Sequence, residues 1–599
     1  MRKFVGELRS WIPFIVAIRA VGHERNLWYN SIVWPQGRLS FSRSVAGAFS
    51  MRNELIRIGA LVRRVFKALL LPAVIVMLAA SAFYLVGGVS TSPLENTASA
   101  QGVKVNAPAI DLVGGTDWLN TDNPITLADL KGRIVLLDFW TLCCINCIHT
   151  LPDLAVLEAR YPGVLVVIGI HTPKFDNEKK TASVLKAILR YEIKHPVYND
   201  AEKKLWRAYG VNQWPTLALI DPDGNFRGGA FGEGNLELVD RSIKSLIQEF
   251  EKKGTLKKDP INFKLLAENN ASPLLFPGKV FADAKSKRLF IADSTNHRVV
   301  ITDLDGKKIA IAGSGKEGMK DGTFAEAEFS DPQGMALDGE TLYVADRKNH
   351  AIRALDLKKE TVKLVAGTGV KNLLGKLGTA GSAKKVALCS PWDLLIHNKL
   401  VYIAMAGHHQ IWTFDPAKSY VSAYAGTGWE ELKDGPLKSA MFAQPSGLAT
   451  DGKRLFVADS EISAIRSVPL VGVKGNVTTI VGEGLFEFGD KNGVGKDVRL
   501  QHALGVAFLD GKLYVADTYN SKIKIIDPSK RSCDTFVGDP AQKTFDEPAG
   551  LSIAAGKMYV ADTNSHRIQI VDMKTREVTT LKLQGVDPGR RGSAVSGKK

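Results

Sequence analysis

Arg133-Ile134-Val135-Leu136-Leu137-Asp138-Phe139-Trp140-Thr141-Leu142-Cys143-Cys144-Ile145-Asn146-Cys147 is the stretch on which the reading of this chain turns. Residues 133–139 form a continuous apolar run closed by an acid, the pattern of a strand buried on both faces. Cys144 and Cys147 then open a helix whose apolar face continues through Leu151, Leu154 and Leu157. The thiolate, not the thiol, attacks a disulfide. At a helix N-terminus Cys144 meets unpaired backbone N–H groups and the positive end of the dipole, which favour the anion. Cys147 lies one turn on, within reach to attack a mixed disulfide and release its product. Three of the five cysteines fall within five residues, a redox or metal spacing and not the framework of a secreted mini-domain. Zinc would need further ligands, and no second CxxC or nearby His pair supplies them. No metal and no cofactor is therefore expected.

Working outward, Val164 to Ile170 reads as a second buried strand and Glu178 to Tyr191 as a helix. Thr216 to Ile220 is a third strand, turned by Asp221-Pro222-Asp223-Gly224 into a fourth around Phe226. Leu236 to Phe250 closes an α/β unit over residues 105–252. Asp138-Phe139-Trp140 followed by Cys144-x-x-Cys147 resembles the active-site run of the thioredoxin family, with Cys143 where that family has Trp. Trp214-Pro215-Thr216 resembles its cis-proline loop, and Leu151-Pro152 the helix proline of membrane-tethered thioredoxins. The resemblance implies Cys144 as nucleophile and Cys147 as resolving thiol. It also implies Asp138 as a buried acid that accepts the proton of Cys147, and Pro215 as the cis proline that presents backbone to a substrate strand. Trp140, Trp214 and Thr216 are accessory to that site. Cys143 is expected to be a small buried hydrophobe in preference to a third redox thiol. His149 and His171 are expected to serve local structure.

The formal net charge of +16 suggests a polyanion partner until it is mapped. Residues 1–67 hold 12 Lys+Arg against 3 Asp+Glu, whereas residues 261–585 hold 42 against 37. Ala68 to Val89 carries no charge over about 22 positions, enough to cross a bilayer as a helix. Arg52, Arg57, Arg63, Arg64 and Lys67 precede it and only Glu95 follows before Gln101, so the positive-inside rule leaves the later domains on the periplasmic, extracytoplasmic or lumenal side. The expected organisation is a basic cytoplasmic or targeting segment (1–67), a transmembrane helix (68–89) and a linker (90–104). The α/β domain, a linker (253–269), a β domain (270–585) and a basic tail (586–599) follow. A cleaved signal peptide cut near Ala98-Ser99-Ala100 is the alternative to the anchor.

Residues 270–585 repeat. A β-branched run ends in Ala-Asp and is followed by a polar turn: Leu289–Asp293, Leu342–Asp346, Leu455–Asp459, Leu513–Asp517 and Met558–Asp562, with Val401–Met405 as a sixth copy. Four short strands per period of 45 to 59 residues make a propeller blade, so six blades are expected, with the five acids at equivalent positions. An edge strand over Ile261 to Leu266 is expected to add to the closing blade. Each acid is read as bonding the backbone of its own turn and not as part of a metal ring, since Met405 breaks the series. The pattern resembles NHL repeats, and the near-neutral balance disfavours nucleic acid.

A thioredoxin-like domain, an NHL propeller and the string Cys143-Cys144-Ile145-Asn146-Cys147 together resemble the NHL-repeat-containing protein 2 family, and the lumenal part of the chloroplast suppressor-of-quenching protein. The resemblance implies a thiol–disulfide oxidoreductase whose propeller is a platform for clients or partners. It acts on protein disulfides or dithiols, with a membrane or soluble thiol as electron donor. The alternatives are a non-catalytic propeller scaffold for protein interactions and a thiol peroxidase. For the peroxidase, Thr141-x-x-Cys144 has the spacing but lacks the preceding proline.

Overall fold

The computed structural model describes residues 103–266, 272–372 and 379–589. The expected membrane helix and the basic segment before it lie outside these residues. Among the described residues no helix is long and apolar enough to cross a membrane.

The α/β domain runs β1 (Asp117–Leu119), β2 (Ile134–Trp140), α1 (Ile145–Arg160), β3 (Leu165–His171), α2 (Thr181–Arg190) and β4 (Val197–Asn199). It continues with α3 (Lys204–Ala208), β5 (Thr216–Ile220), β6 (Phe226–Phe231) and α4 (Leu236–Lys253). The sheet order is β1-β4-β3-β2-β5-β6. β2 sits between parallel β3 and antiparallel β5, which is why all seven of its residues are buried. Ile134 and Leu136 face Leu154 and Leu157 of α1 and Val239, Ile243, Leu246 and Phe250 of α4. Val135, Leu137 and Phe139 face a second core with Tyr209, Val211 and Phe226. Asp138 and the dithiol helix therefore share one face of the sheet.

The second core also corrects one expectation. Residues 261–266 are not a strand of the propeller. Ile261 and Phe263 pack on the thioredoxin-like core, and the Leu266 N–H donates to Asn120 Oδ1 at 2.7 Å. Their alternating apolar pattern reflects docking onto a sheet, which a strand pattern cannot be told from.

The β domain is a six-bladed propeller. Its six sheets each hold four strands, and three of them gain a short fifth. The inner strands are Lys279–Asp283, Pro332–Asp338, Pro391–His397, Pro445–Thr450, Gly505–Leu509 and Pro548–Ala554. The acid of each copy ends the second strand and does one job five times. Asp293, Asp346, Asp459, Asp517 and Asp562 each accept the backbone N–H of the residue 16 or 18 positions earlier, at 2.6–2.8 Å. In blade three the Met405 sulfur takes that place, 3.5 Å from the Cys389 N–H. The next turn carries a residue at positive φ, and its side chain latches onto the following blade. His350, His409 and His566 Nδ1 each accept an N–H, from Ser390, Gln444 and Phe276, at 3.0 Å. The ring closes where Gln584 pairs with blade one, donating to the Gly306 carbonyl and accepting from the Lys308 N–H.

Candidate functional site: a dithiol covered by the propeller

Cys144 caps α1 (φ −74°, ψ 116°), and the Cys147 N–H donates to its sulfur at 3.3 Å. No acid stands in the first turn to oppose a negative charge there. All five cysteines are free. Cys147 is fully buried and Cys143 is 3% exposed, while Cys144 is only half-buried. Burial pushes both the Cys143 and Cys147 thiols well above their ordinary value. The Glu178 and Glu461 carboxylates add to the effect at Cys143, and the hydrogen bond with Cys144 adds to it at Cys147. Asp138 lies below Cys147, fully buried. Loss of hydration lifts its carboxyl to about 7, against a smaller opposing pull from His195.

The residues read from sequence gather here. Trp140, Cys143 and Cys147 form one apolar cluster, with Cys144 and Trp214 packed on it. The Trp214–Pro215 bond is cis, and Trp214 Nε1 donates to Thr172 Oγ1 at 2.6 Å. Thr216 starts β5 opposite Phe139, next to Asp138 in the neighbouring strand, and its hydroxyl donates to the Gln213 carbonyl. Cys143 is buried as expected. His171 has its pKa lowered to about 4 by burial and sits edge-on to Trp140, 5.1 Å between ring centres.

Sequence reading missed the residues that hold this loop. Glu178, fully buried, accepts from Thr141 Oγ1 (2.6 Å) and from the backbone N–H groups of Cys143, Lys174 and Phe175. From the propeller, Gln444 brackets Cys144: its Oε1 accepts the Ile145 N–H at 2.8 Å and its Nε2 donates to the Cys143 carbonyl at 3.0 Å. Ile145 and Ile148 pack on Trp392, Ala406, Leu504 and Ala549 around the inner strands, so the start of α1 sits over the mouth of the propeller. Lys174 pairs with Glu461 and Arg190 with Glu547 across the same interface. The one sequence signal for these contacts was an excess of polar residues in the blade turns, which names no partner.

On the far side of α1 the two domains enclose a cleft of about 890 Å³, reached by His149, Glu158, Arg190, His195, Arg347 and His350. Three clusters there and at the dithiol have metal-like donors: Glu192, His297 and Glu317 at the cleft rim, and two whose donors are otherwise engaged. In His149, His350 and Cys389, His350 Nδ1 already accepts the Ser390 N–H, which leaves the proton on Nε2. In Cys143, Glu461 and His502, the Lys174 ammonium bonded to Glu461 supplies the cation.

A thioredoxin-like family model matches residues 132–226, and an NHL repeat model matches residues 329–355. NHL repeat-containing protein 2 of Gallus gallus is 41% identical over 482 residues, 73% of this chain and 66% of that protein. The chain is a homologue of NHL repeat-containing protein 2. Another relative of this NHL repeat-containing protein 2 homologue is the chloroplastic protein SUPPRESSOR OF QUENCHING 1 of Arabidopsis thaliana, 42% identical over 505 residues, 79% of this chain and 48% of that one. The chain thus spans just under two thirds of the first relative's length and about half of the second's. The thiol-disulfide oxidoreductase ResA of Bacillus thuringiensis matches over 122 residues at 31% identity, 20% of this homologue and 68% of ResA. The thioredoxin-like domain of the homologue is therefore related to thiol–disulfide oxidoreductases.

Proposed function

We propose that this chain is a membrane-anchored thiol–disulfide oxidoreductase of exported proteins, with its propeller as the platform for clients or partners. One observation carries the reading: of three clustered cysteines only Cys144 reaches the surface, with the Cys147 amide aimed at its sulfur and the Cys147 thiol buried one turn on, beside Asp138. The Cys144 thiolate attacks a client disulfide, forming one S–S bond and expelling one client thiolate. Cys147, giving its proton to Asp138, then attacks the Cys144 sulfur, which releases the client as a dithiol and leaves Cys144–Cys147 oxidised. A membrane or soluble thiol donor returns the two electrons. Pro215 and the residues beside it, Trp214 and Thr216, line the edge where client backbone pairs, and Trp140 floors the site. Residues 68–89 hold the protein in the membrane, and the domains after Val89 face away from the cytoplasm.

The test is trapping. Cys147→Ser should accumulate mixed disulfides that mass spectrometry assigns to Cys144, and Cys144→Ser should abolish exchange. Clients trapped on Cys143, or exchange surviving in Cys144→Ser, would refute the assignment. For topology, a reporter fused at Gly102 should be active outside the cytoplasm, and activity only inside it would overturn the anchor. The propeller cover over the Cys143–Ile145 loop favours a second reading, a non-catalytic scaffold in which the pair is a structural bridge. A Cys144–Cys147 potential below about −300 mV would support that reading.

A further inference from the structure

Gly169 of β3 stands directly beside Asp138 of β2 in parallel register. Having no side chain, it lets the Trp140, Val197 and His195 side chains close in on the backbone beside the carboxylate. A Cβ there would lie 2.9 Å from Trp140 Nε1, 3.3 Å from a Val197 methyl and 3.5 Å from His195 Nε2. Both Asp138 oxygens, Trp140 Nε1 and His195 Nε2 are buried, and none finds a partner among the protein's own groups. Leaving that many polar atoms unmatched in an apolar core is costly, and buried water is the ordinary way such a site is satisfied. On its other side, His195 Nδ1, also without a hydrogen-bond partner, lies within ion-pair distance of Glu158 Oε1 at 3.3 Å, and the Glu158 side chain is 26% exposed. Both residues line the interdomain cleft.

We infer that His195 and Glu158 form the proton exit of the resolving thiol, running from Asp138 through a bridging water among these unpartnered atoms to His195, Glu158 and the cleft. The inference rests on the exchange reading and deepens it. When Cys147 attacks the Cys144 sulfur, its S–H bond breaks and the electron pair enters the new S–S bond, the Cys144–client S–S bond breaks with its pair leaving on the client thiolate, and the Cys147 proton goes to Asp138. With Asp138 fully buried, that proton needs a route out before the next turnover. Water passes it to His195 Nε2, the Nδ1 proton moves to Glu158, and the carboxyl delivers it to solvent. His195 does not touch the reacting sulfurs; it acts through Asp138 and is a positioning and relay residue. The charged and titratable groups facing Asp138 are Cys147 on α1 and His195 on the segment before β4, while β5 presents only Leu217 opposite it. Glu158 is the further group facing His195.

Removing the His195 pull should raise the Asp138 titration midpoint above its value of about 7. The experiment uses the whole protein, reduced, in wild type, His195→Gln, His195→Phe, Glu158→Gln and Gly169→Ala. The Asp138 carboxyl band is followed against pH by difference infrared spectroscopy, assigned with Asp138→Asn. The midpoint should move up in both His195 variants. In parallel, resolution of a preformed mixed disulfide should slow about tenfold at pH 7 in the His195 variants and in Gly169→Ala, and less in Glu158→Gln. The first step, measured in the Cys147→Ser background, should keep its wild-type rate. An Asp138 midpoint unmoved by both His195 substitutions overturns the relay, whether or not the protein exchanges disulfides. Wild-type resolution rates in every variant overturn it while leaving the exchange reading intact. Failure of wild type to exchange at all sinks that reading, and the relay with it as a catalytic route.

Discussion

Removing the charge of Asp138 should make the protein more stable above neutral pH. Its carboxyl is lifted from 3.8 to about 7 by burial, so the folded state prefers the proton. That preference acts in full below pH 3.8 and is lost as pH rises through 7, where folding must bury a charge. Asp138→Asn is therefore expected to gain a few kcal/mol at pH 8 and little at pH 4, read by denaturant unfolding at both, while resolution by Cys147 slows. A gain equal at the two pH values would show that shape and not charge is responsible. Cys143→Ser should leave exchange near wild type, since a thiol buried among Glu178, Glu461 and Tyr519 cannot reach a client; loss of exchange in that variant alone would make it the functional thiol. At this scale the sequence was readable where function needs residue types at fixed short spacing. Asp138, Cys144 and Cys147 fall within ten positions. His195 and Glu158 were not readable, because their roles depend on a glycine in a neighbouring strand and on side-chain directions no spacing encodes.

Most propeller blades are held by an acid paired with a cation on the third strand. Asp346 bonds Arg353 at 3.1 Å and Asp459 bonds Arg466 at 3.0 Å, with both members of each pair fully buried. Asp293 and Asp562 pair with Arg298 and Arg567. Asp459→Ala strands a buried guanidinium and should cost about 3–5 kcal/mol, lowering the unfolding midpoint; a shift of under about 1 kcal/mol would show that Asp434, which also bonds Arg466, suffices. Blade three lost both partners together. Met405 replaces the acid, and Gln410 and Trp412 stand where the other blades place the arginine, bonded to each other and to the Gly426 carbonyl. Met405→Asp should therefore destabilise, despite restoring the repeat, because its carboxylate would be buried without a cation. Long, strongly patterned elements such as β2, α1, α4 and the blade strands are legible in the sequence itself. β1, β4 and α3 are three to five residues long, too short for a period to register, and they exist because neighbouring elements supply their partners.

At the scale of the whole molecule, thioredoxin-like domain and propeller share the dithiol between them. Lys174–Glu461 and Arg190–Glu547 are buried ion pairs across the interface, and Gln444 ties the loop around Cys144 to blade four. Gln444→Ala removes the acceptor of the Ile145 N–H, so hydrogen exchange at Ile145 and alkylation of Cys144 should both speed up while circular dichroism stays unchanged; unaltered protection at Ile145 would mean that packing alone holds the loop. None of this docking could be read from sequence, since Ile145 and Gln444 lie 299 positions apart and a single sequence carries no record of which polar turn meets which loop. The same distance in sequence governs ring closure. The outer strand of blade one, Lys308–Ala312, waits for Gln584, which a ribosome supplies only after every other blade has left it. Until then the Lys308 amide and the Gly306 carbonyl at the start of that strand are open to pairing with another strand. Lys307 and Lys308 sit at that same end, and charged side chains at a strand edge disfavour pairing with the wrong strand.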